Sequence, residues 1–412
     1  MIEPFEDFRK SLSSVKYASL QESSSEVKPD NDSFDQMREF LLSRYDGVDV
    51  RHSFVEPGGE VVDCVPVEQQ FALRDSSEVP EPPDPPLELT GGDHDDPALG
   101  ESRPIPPPLS PENHDDYGNQ RWCPPGTVPV LRHNLERLAA DHSTLDDFLI
   151  GPKAGDNVRR HAQARQEVPN LGGASDVNIW PHNLTSPTLL SSASQQWYST
   201  GMLPFVTLQT VECGWRAGVI AAPPNVVHDT LPRLFVFYTN NNYAKGASFY
   251  NDYSPGGFAY TPGANHVLHG AMTPVSQTDG TQWHVRMGFT LTQNRWWFHA
   301  SGVWVGSYPA SLFSNGTLGS GAFQASFGGE TTTGFSFFPP MGSGRFPSEG
   351  FGKAAYQRLI GVNNTAGIPV AAQLVPGEVS PGCYRVAIAS STDSAWGTHI
   401  FFGGPGGTNC PL

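Results

Sequence analysis

Residues 205–215 read FVTLQTVECGW, and residues 321–330 read GAFQASFGGE. Both stretches are rich in aromatic and β-branched side chains and contain glycine near an end, which is typical of β-strands bounded by turns. Alternate side chains of a strand point to opposite faces, so Glu212 and Glu330 each lie on a defined face. Similar short segments, separated by glycine and proline, fill residues 173–412. The sequence therefore predicts a mainly β protein, an antiparallel two-sheet β-sandwich of jelly-roll type.

A small α+β domain is predicted before the sandwich. A helix from Phe34 to about Tyr45 places its apolar side chains on one face, with a cap at Asp32-Ser33. Val61–Val65 is predicted as a strand, and a second helix is predicted over residues 131–149.

Acidic charge is concentrated in the N-terminal third of the chain. Residues 1–116 hold 27 of the 42 acidic residues and 9 of the 25 basic residues. Eleven prolines lie between Pro80 and Pro111, which predicts an extended linker over residues 78–116. The net charge of −17 argues against nucleic acid as a partner, and the lack of any run of 18 apolar residues argues against a membrane span.

The common catalytic and metal-binding motifs do not occur in the sequence. GxSxG, GxxxxGK[ST] and HExxH are missing, and the five cysteines lack the spacing of zinc sites. We therefore expect neither a metal nor a cofactor, and we expect Cys213 to be a buried, inert thiol. The first 20 residues lack the apolar segment of a secretory signal, so a cytoplasmic location stays open.

Glu212 and Glu330 are unusual residues for predicted strands. Only four glutamates follow Val168, and no adjacent lysine or arginine explains either of these two as an ion pair. Two neighbouring carboxylates can divide acid and base roles, which suits the attack of water on an amide. Two carboxylates about 5–10 Å apart instead suit glycoside hydrolysis on a jelly roll. A non-catalytic sandwich that binds carbohydrate or peptide is the third alternative.

Several motifs resemble the neprosin family of glutamic peptidases. Gln209–Trp215 resembles the family's QT-[IV]-E-x-GW motif, and Phe327–Glu330 resembles its GGE motif. Collinear similarity continues at residues 177–180, 194–197, 232–235, 341–347 and 403–411, and residues 63–65 and 123–129 resemble the family's activation peptide. The resemblance thus extends over most of the chain.

The resemblance implies a secreted zymogen whose catalytic pair is Glu212 and Glu330. It implies metal-independent cleavage after proline and a disulfide between Cys383 and Cys410. The expected partners are proline-rich peptides or proteins and the protein's own N-terminal pro-domain, and a monomer is expected. The corresponding division is an N-terminal part of the pro-domain (1–77), the linker (78–116), the rest of the pro-domain with a cleavable segment (117–172) and the catalytic sandwich (173–412).

Six residues are expected to contact substrate: Gln209, Trp215, Gln324, Ser326, Trp297 and Tyr308. Gln324 and Ser326 share the face of Glu330, provided that Gly328 and Gly329 do not form a bulge. The rings of Trp297 and Tyr308 could stack on sugar or proline rings, or belong to the core. We also expect the acidic N-terminal segment to occupy the cleft near the catalytic pair, so that acid loosens its docking.

Overall fold

The structure, a computed structural model, describes residues 1–23, 27–74, 78–91, 99–151, 158–181, 190–201, 207–219, 231–333, 337–390, 395–408 and 410. In these residues the α-helices all precede residue 151. They are α1 (Phe5–Ser14), α2 (Tyr17–Ser23), α3 (Asn31–Arg44), α4 (Leu135–Asp141) and α5 (Leu145–Ile150). None of the described helices combines the length and the apolar character that a membrane crossing requires.

The strands before residue 240 are β1 (His52–Val55), β2 (Val61–Pro66), β3 (Ser102–Pro104), β4 (Thr127–Leu131), β5 (Val158–Asn170), β6 (Gly172–Asn178), β7 (Leu190–Ser199), β8 (Thr210–Val219) and β9 (Arg233–Thr239). The later strands are β10 (Ser248–Tyr250), β11 (Ala259–Tyr260), β12 (Gln282–Thr292), β13 (Arg295–Ala300), β14 (Val303–Pro309), β15 (Ala322–Thr333), β16 (Phe337–Phe338), β17 (Ala355–Asn363), β18 (Pro369–Ala371), β19 (Val375–Val379), β20 (Arg385–Ala389), β21 (His399–Gly403) and β22 (Gly407–Thr408).

Two large sheets form the sandwich. The seven-stranded sheet has the order β10-β9-β8-β7-β15-β5-β19, and all of its pairs are antiparallel. The ten-stranded sheet follows β11-β14-β13-β12-β6-β17-β21-β20, with β18 beside β17 and β3 beside β12. Buried aromatic side chains of both sheets, such as Trp215, Trp296 and Phe327, belong to one continuous core. The predicted two-sheet β-sandwich is confirmed.

The sandwich begins before the predicted boundary at residue 173. β5 pairs with β15 on one side and with β19 on the other, so it is an interior strand of the seven-stranded sheet. The segment predicted to be cleavable, between Gly151 and Gly173, is therefore largely structural, and its residues 152–157 lie outside the described residues. The prediction of a cleavable loop relied on the polar composition of this segment. In the structure, alternate polar side chains of β5, from His161 to Glu167, instead line a pocket of the sandwich.

The N-terminal domain contains more helix than predicted. The helix predicted from Phe34 is confirmed as α3, but its cap is Asp30, whose carboxylate accepts the Ser33 N–H at 2.8 Å. The single helix predicted over residues 131–149 is wrong. The end of β4 and two short helices replace it, and the side chains of Asn134 and Thr144 cap those two helices.

The N-terminal domain packs against the sandwich through buried polar contacts. Arg44 on α3 donates to the Asp252 carboxylate at 2.8 Å, and only 1% of its side chain is exposed. Glu56, also 1% exposed, accepts the Ala271 N–H at 2.9 Å. Buried charges are tolerated only when they are paired, so these contacts specify how the two parts dock.

The described residues of the proline-rich linker contact the sandwich at several points. Its residues 102–104 form β3, which pairs in parallel with β12. Ile105 and Leu109 are 2% and 1% exposed, and the Trp304 indole donates to the Asp84 carbonyl at 3.0 Å. Among its described residues, the linker forms one short strand, β3, and contributes side chains to the packed interior.

Two disulfides are present. Cys383–Cys410 is the pair that the resemblance implies, and Cys64–Cys123 is a pair that the sequence left open. Cys213 is free and buried, and burial raises the pKa of its thiol well above the usual value, as expected for an inert thiol.

Removing the Cys64–Cys123 bridge should destabilise the N-terminal domain. The bridge closes a loop with a sequence separation of 59, so the Cys64→Ser/Cys123→Ser variant is expected to lose about 2–5 kcal/mol of unfolding free energy. Urea unfolding followed by hydrogen exchange of α3 and β2 measures this loss. An unchanged midpoint in that domain would contradict the expectation, and Cys383→Ser/Cys410→Ser is the matched variant in the sandwich.

Candidate active site

Neighbouring strands of the seven-stranded sheet direct alternate side chains to one face. Glu212 on β8 lies opposite Trp197 on β7, which lies opposite Ser326 on β15. Glu330, further along β15, lies opposite His161 on β5. The pairing of β15 with β7 shows no register shift through the two glycines before Glu330, so no bulge reverses the face of this glutamate.

Both glutamates line one pocket of about 430 Å³ on this face. Trp197, the Tyr243 side chain from the turn after β9, and Glu378 from β19 form other parts of its wall. No lining residue comes from the described part of residues 1–151. The expectation that the N-terminal segment occupies the cleft is thus not supported for those residues, because their docking surface lies elsewhere on the sandwich.

Glu212 is surrounded by hydroxyl groups. It is 1% exposed, and its Oε1 accepts hydrogen bonds from the Thr210 hydroxyl at 2.8 Å and the Tyr243 hydroxyl at 3.0 Å. Tyr243 itself stacks on Phe237 with ring centroids 5.9 Å apart, which orients its hydroxyl. A hydroxyl group can form a hydrogen bond with either the ionised or the protonated carboxyl group, because it can both donate and accept.

Glu330 faces a histidine. The Nε2 atom of His161 donates to Glu330 Oε2 at 3.0 Å, and the Nδ1 atom lies 3.2 Å from Glu378 Oε2. Burial opposes the charged imidazole, but the hydrogen bond to Glu330 and the close contact with Glu378 outweigh it and raise the pKa of His161 to about 9. The pKa of Glu378 is lowered, chiefly by its bond to His161. The two contacts thus favour the imidazolium form of His161, which lies between Glu330 and Glu378.

Only Gln324, of the six residues predicted to contact substrate, lines the pocket. Its side-chain amide donates to the Ser326 hydroxyl at 2.9 Å. Ser326 is fully buried and on the same face, so it supports Gln324 from within the sheet rather than facing a ligand.

The prediction for Gln209 and Trp215 is corrected, because both side chains are buried away from the pocket. The Gln209 amide donates to Asn315 Oδ1 at 2.7 Å, and its oxygen accepts the Leu318 N–H at 3.1 Å. The Trp215 indole donates to the Asn178 carbonyl at 2.8 Å and thereby links the two sheets. Alternation along the chain explains this result, since Trp215 on β8 and Gln209, immediately before β8, both have the opposite parity to Glu212.

Trp297 and Tyr308 are also core residues. They lie on β13 and β14 of the ten-stranded sheet and are fully buried. Tyr308 packs edge-on against Tyr238 at 5.1 Å between ring centroids, and Trp297 packs beside Trp304 at 6.0 Å. Their predicted contact with substrate is corrected because other rings already occupy their faces.

Sequence reasoning missed His161, Glu378 and Tyr243 as residues of this site. His161 lies in the segment that was assigned to the pro-domain. Glu378 is one of the four glutamates after Val168, and that scarcity was the one signal that could have singled it out. Among the described residues, no set of three or more histidine, cysteine, aspartate or glutamate side chains is arranged to hold a metal ion.

Among solved structures, the chain is similar to scytalido-glutamic peptidase in two crystal structures with transition-state analogues. The identities are 11% and 10%, the alignments cover 60% of this chain and 99% of those chains, and the TM-scores are 0.32 and 0.31. For kappa-carrageenase from Pseudoalteromonas carrageenovora, the identity is 8%, the coverage is 60% of this chain and 67% of that chain, and the TM-score is 0.21.

The comparison with protein families is more decisive. The family model described as Neprosin matches residues 190–405, which is more than half of the chain. The matched region contains Glu212 and Glu330 together with the strands β7, β8 and β15 on which the pocket is built. The protein belongs to the neprosin family.

Proposed function

We propose that this protein is a glutamic endopeptidase that hydrolyses peptide bonds after proline, with Glu212 and Glu330 as its catalytic pair. Membership of the neprosin family supports a glutamic-type peptidase. The observation that carries the assignment of the pair is their common pocket: two buried glutamates, on different strands and 118 positions apart in sequence, line the same cavity.

Glu330 is the proposed general base. The imidazolium of His161 favours the ionised form of a carboxyl group that it contacts, and a carboxylate can accept a proton from water. As the water oxygen bonds to the substrate carbonyl carbon, its proton passes to Glu330 and the carbonyl oxygen gains negative charge.

Glu212 is the proposed general acid. In its protonated form it can donate a hydrogen bond to the carbonyl oxygen, and Tyr243 can donate a second one. The tetrahedral intermediate then breaks at its carbon–nitrogen bond, and the leaving nitrogen takes the proton of Glu212. Proton exchange with solvent returns Glu212 to its acid form and Glu330 to its base form.

The aromatic walls of the pocket support a preference for proline. Trp197 and Tyr243 line it, and their rings offer flat apolar surfaces to a pyrrolidine ring. A pair of fluorogenic peptides that differ only in proline or alanine before the cleaved bond tests this proposal. We expect at least a tenfold higher kcat/KM for the proline peptide at acidic pH. Equal rates would contradict the preference, and turnover of a β-glucan panel without peptide cleavage would favour a glycoside hydrolase.

The N-terminal domain is proposed to be an acid-released pro-domain. The described part of it does not line the pocket, so its proposed control acts through docking on the flank of the sandwich. α5 packs against β10, which follows the turn that carries Tyr243, and Lys245 in that turn lies 3.0 Å from Asp146 of α5. Release of the domain would therefore free the turn that orients a hydrogen-bond donor of Glu212.

Two disulfides support an oxidising compartment, because such bonds persist mainly outside the cytosol. We propose that the protein acts extracellularly.

A further inference from the structure

We propose that His161 is a positioning residue for Glu330, whose positive charge sets the lowest pH at which the enzyme works, and that Glu378, on its other side, keeps the imidazole charged up to neutral pH. The inference rests on the proposed function, in which Glu330 must be ionised to accept a proton from water.

The geometry places His161 between two strands. β5 runs between β15 and β19, and the imidazole reaches Glu330 on the former and Glu378 on the latter. Both ring nitrogens thus face carboxylate oxygens, at 3.0 and 3.2 Å. Only 18% of the His161 side chain is exposed, so solvent screens these contacts weakly.

Among the described residues, the charged side chains that His161 contacts are Glu330 and Glu378, and Arg165 and Glu167 line the same pocket further along β5. Trp197 on β7, with its ring centroid 5.9 Å away, is neutral, and Gln195 on the same strand donates weakly to Glu330 Oε2 at 3.5 Å. On β5 itself, Arg160 acts electrostatically on Glu378 and adds to the stabilisation of that carboxylate.

The arrangement has two opposing effects on Glu330. The imidazolium stabilises its ionised form, whereas the negative charge of Glu378 opposes that form through space. Glu378 nevertheless supports the arrangement, because without it the imidazole would lose its proton closer to neutral pH. A merely structural role for the two residues would not produce opposite effects of their removal.

The pH profile of kcat/KM separates these effects. In His161→Gln, which keeps a hydrogen-bond donor but loses the charge, we expect the acid side of the profile to move up by about one pH unit. In Glu378→Gln we expect it to move down, because a negative charge that opposes ionisation of Glu330 is lost, and Glu378→Asp should resemble the wild type. Glu349→Gln, an exposed glutamate paired with Arg345 outside the pocket, is the matched control and should leave the profile unchanged. Movement in the same direction for His161→Gln and Glu378→Gln would overturn the proposal.

A second measurement does not depend on activity. In the ¹⁵N-labelled full-length protein, we expect the His161 imidazole to stay doubly protonated through pH 7.5, and to titrate at least one pH unit lower in Glu378→Gln. Titration of the wild-type imidazole near pH 6.5 would overturn the proposal. If the wild-type enzyme cleaves no peptide but this titration is as expected, the proposed function fails and the charged contact stands.

Discussion

The Glu212→Gln and Glu330→Gln variants are each expected to lose peptide turnover by a factor of about 10³ or more, with the fold intact. An amide has nearly the shape of a carboxyl group, so the pocket keeps its packing. The amide cannot accept the proton of water or supply one to the leaving nitrogen. General acid–base catalysis alone typically contributes about 10²- to 10⁴-fold to the reaction rate. The hydroxyls of Thr210 and Tyr243 can still donate to the amide oxygen at position 212.

Single-turnover cleavage of the proline peptide, with thermal unfolding of the same samples, measures this effect. Glu349→Gln makes the same chemical change at an exposed site and should retain full turnover. Substantial activity in either active-site variant would exclude that glutamate from the chemistry. A large fall in melting temperature would instead indicate that the loss comes from unfolding.

Acid is expected to release the N-terminal domain, because a cluster of histidines is buried where the domain meets the sandwich. The ring of His133 lies 5.2 Å from those of Phe148 and Tyr253, between centroids, and 6.4 Å from that of His269. Burial, followed by the nearby Arg44, lowers the pKa of His133 well below its usual value of 6.5. Burial also lowers the pKa of His269, and it lowers that of His142 to about 3.

The sign of this effect follows from proton linkage. Above pH 6.5 the histidines are neutral both docked and released, so docking has its full strength. Below pH 6.5 the released state binds more protons, and docking weakens as the pH falls toward the lowered pKa values, down to about 3 for His142. At pH 4.5 the loss from His142, whose pKa is lowered to about 3, is on the order of 2–3 kcal/mol at most, and His133 and His269 act in the same direction.

Hydrogen exchange of the Glu212→Gln variant, which should not cleave itself, tests the release. We expect α3, α4 and α5 to lose protection between pH 7 and pH 4.5 while β12 and β17 keep it. His133→Phe should shift this transition to lower pH, because the ring packing stays and one titrating group is removed. His114→Phe, at an exposed position, is the matched control. Equal protection of the three helices at both pH values would contradict the mechanism.

This mechanism differs from the one that the sequence suggested. The acidic composition of residues 1–116 predicted carboxylates close to the catalytic pair. In the structure, the N-terminal domain instead contacts the flank of the sandwich through histidines and arginines, and Arg44 pairs there with Asp252. Removing Arg44 leaves that carboxylate buried without its cation, and a broken buried pair typically costs about 3–5 kcal/mol.

The sequence alone determined the β-sandwich, the strands around Glu212 and Glu330, and the disulfide partners Cys383 and Cys410. These features are local or motif-based: alternation along a strand assigns each glutamate to a face without knowledge of its neighbours. The helix at Phe34 was equally local, since its periodicity identifies it and only its cap shifted, to Asp30.

Only the tertiary structure decided which side chains surround the two glutamates. His161, Tyr243 and Glu378 reach the pocket through strand order and register, which bring together residues more than 200 positions apart. The packing of one sheet on the other also decides which strand faces are buried, and a single strand does not show this. The affected residues are Gln209, Trp215, Trp297 and Tyr308, which lie in the interior. Strand pairing is non-local, so no property of β5 by itself shows that it lies between the strands of Glu330 and Glu378.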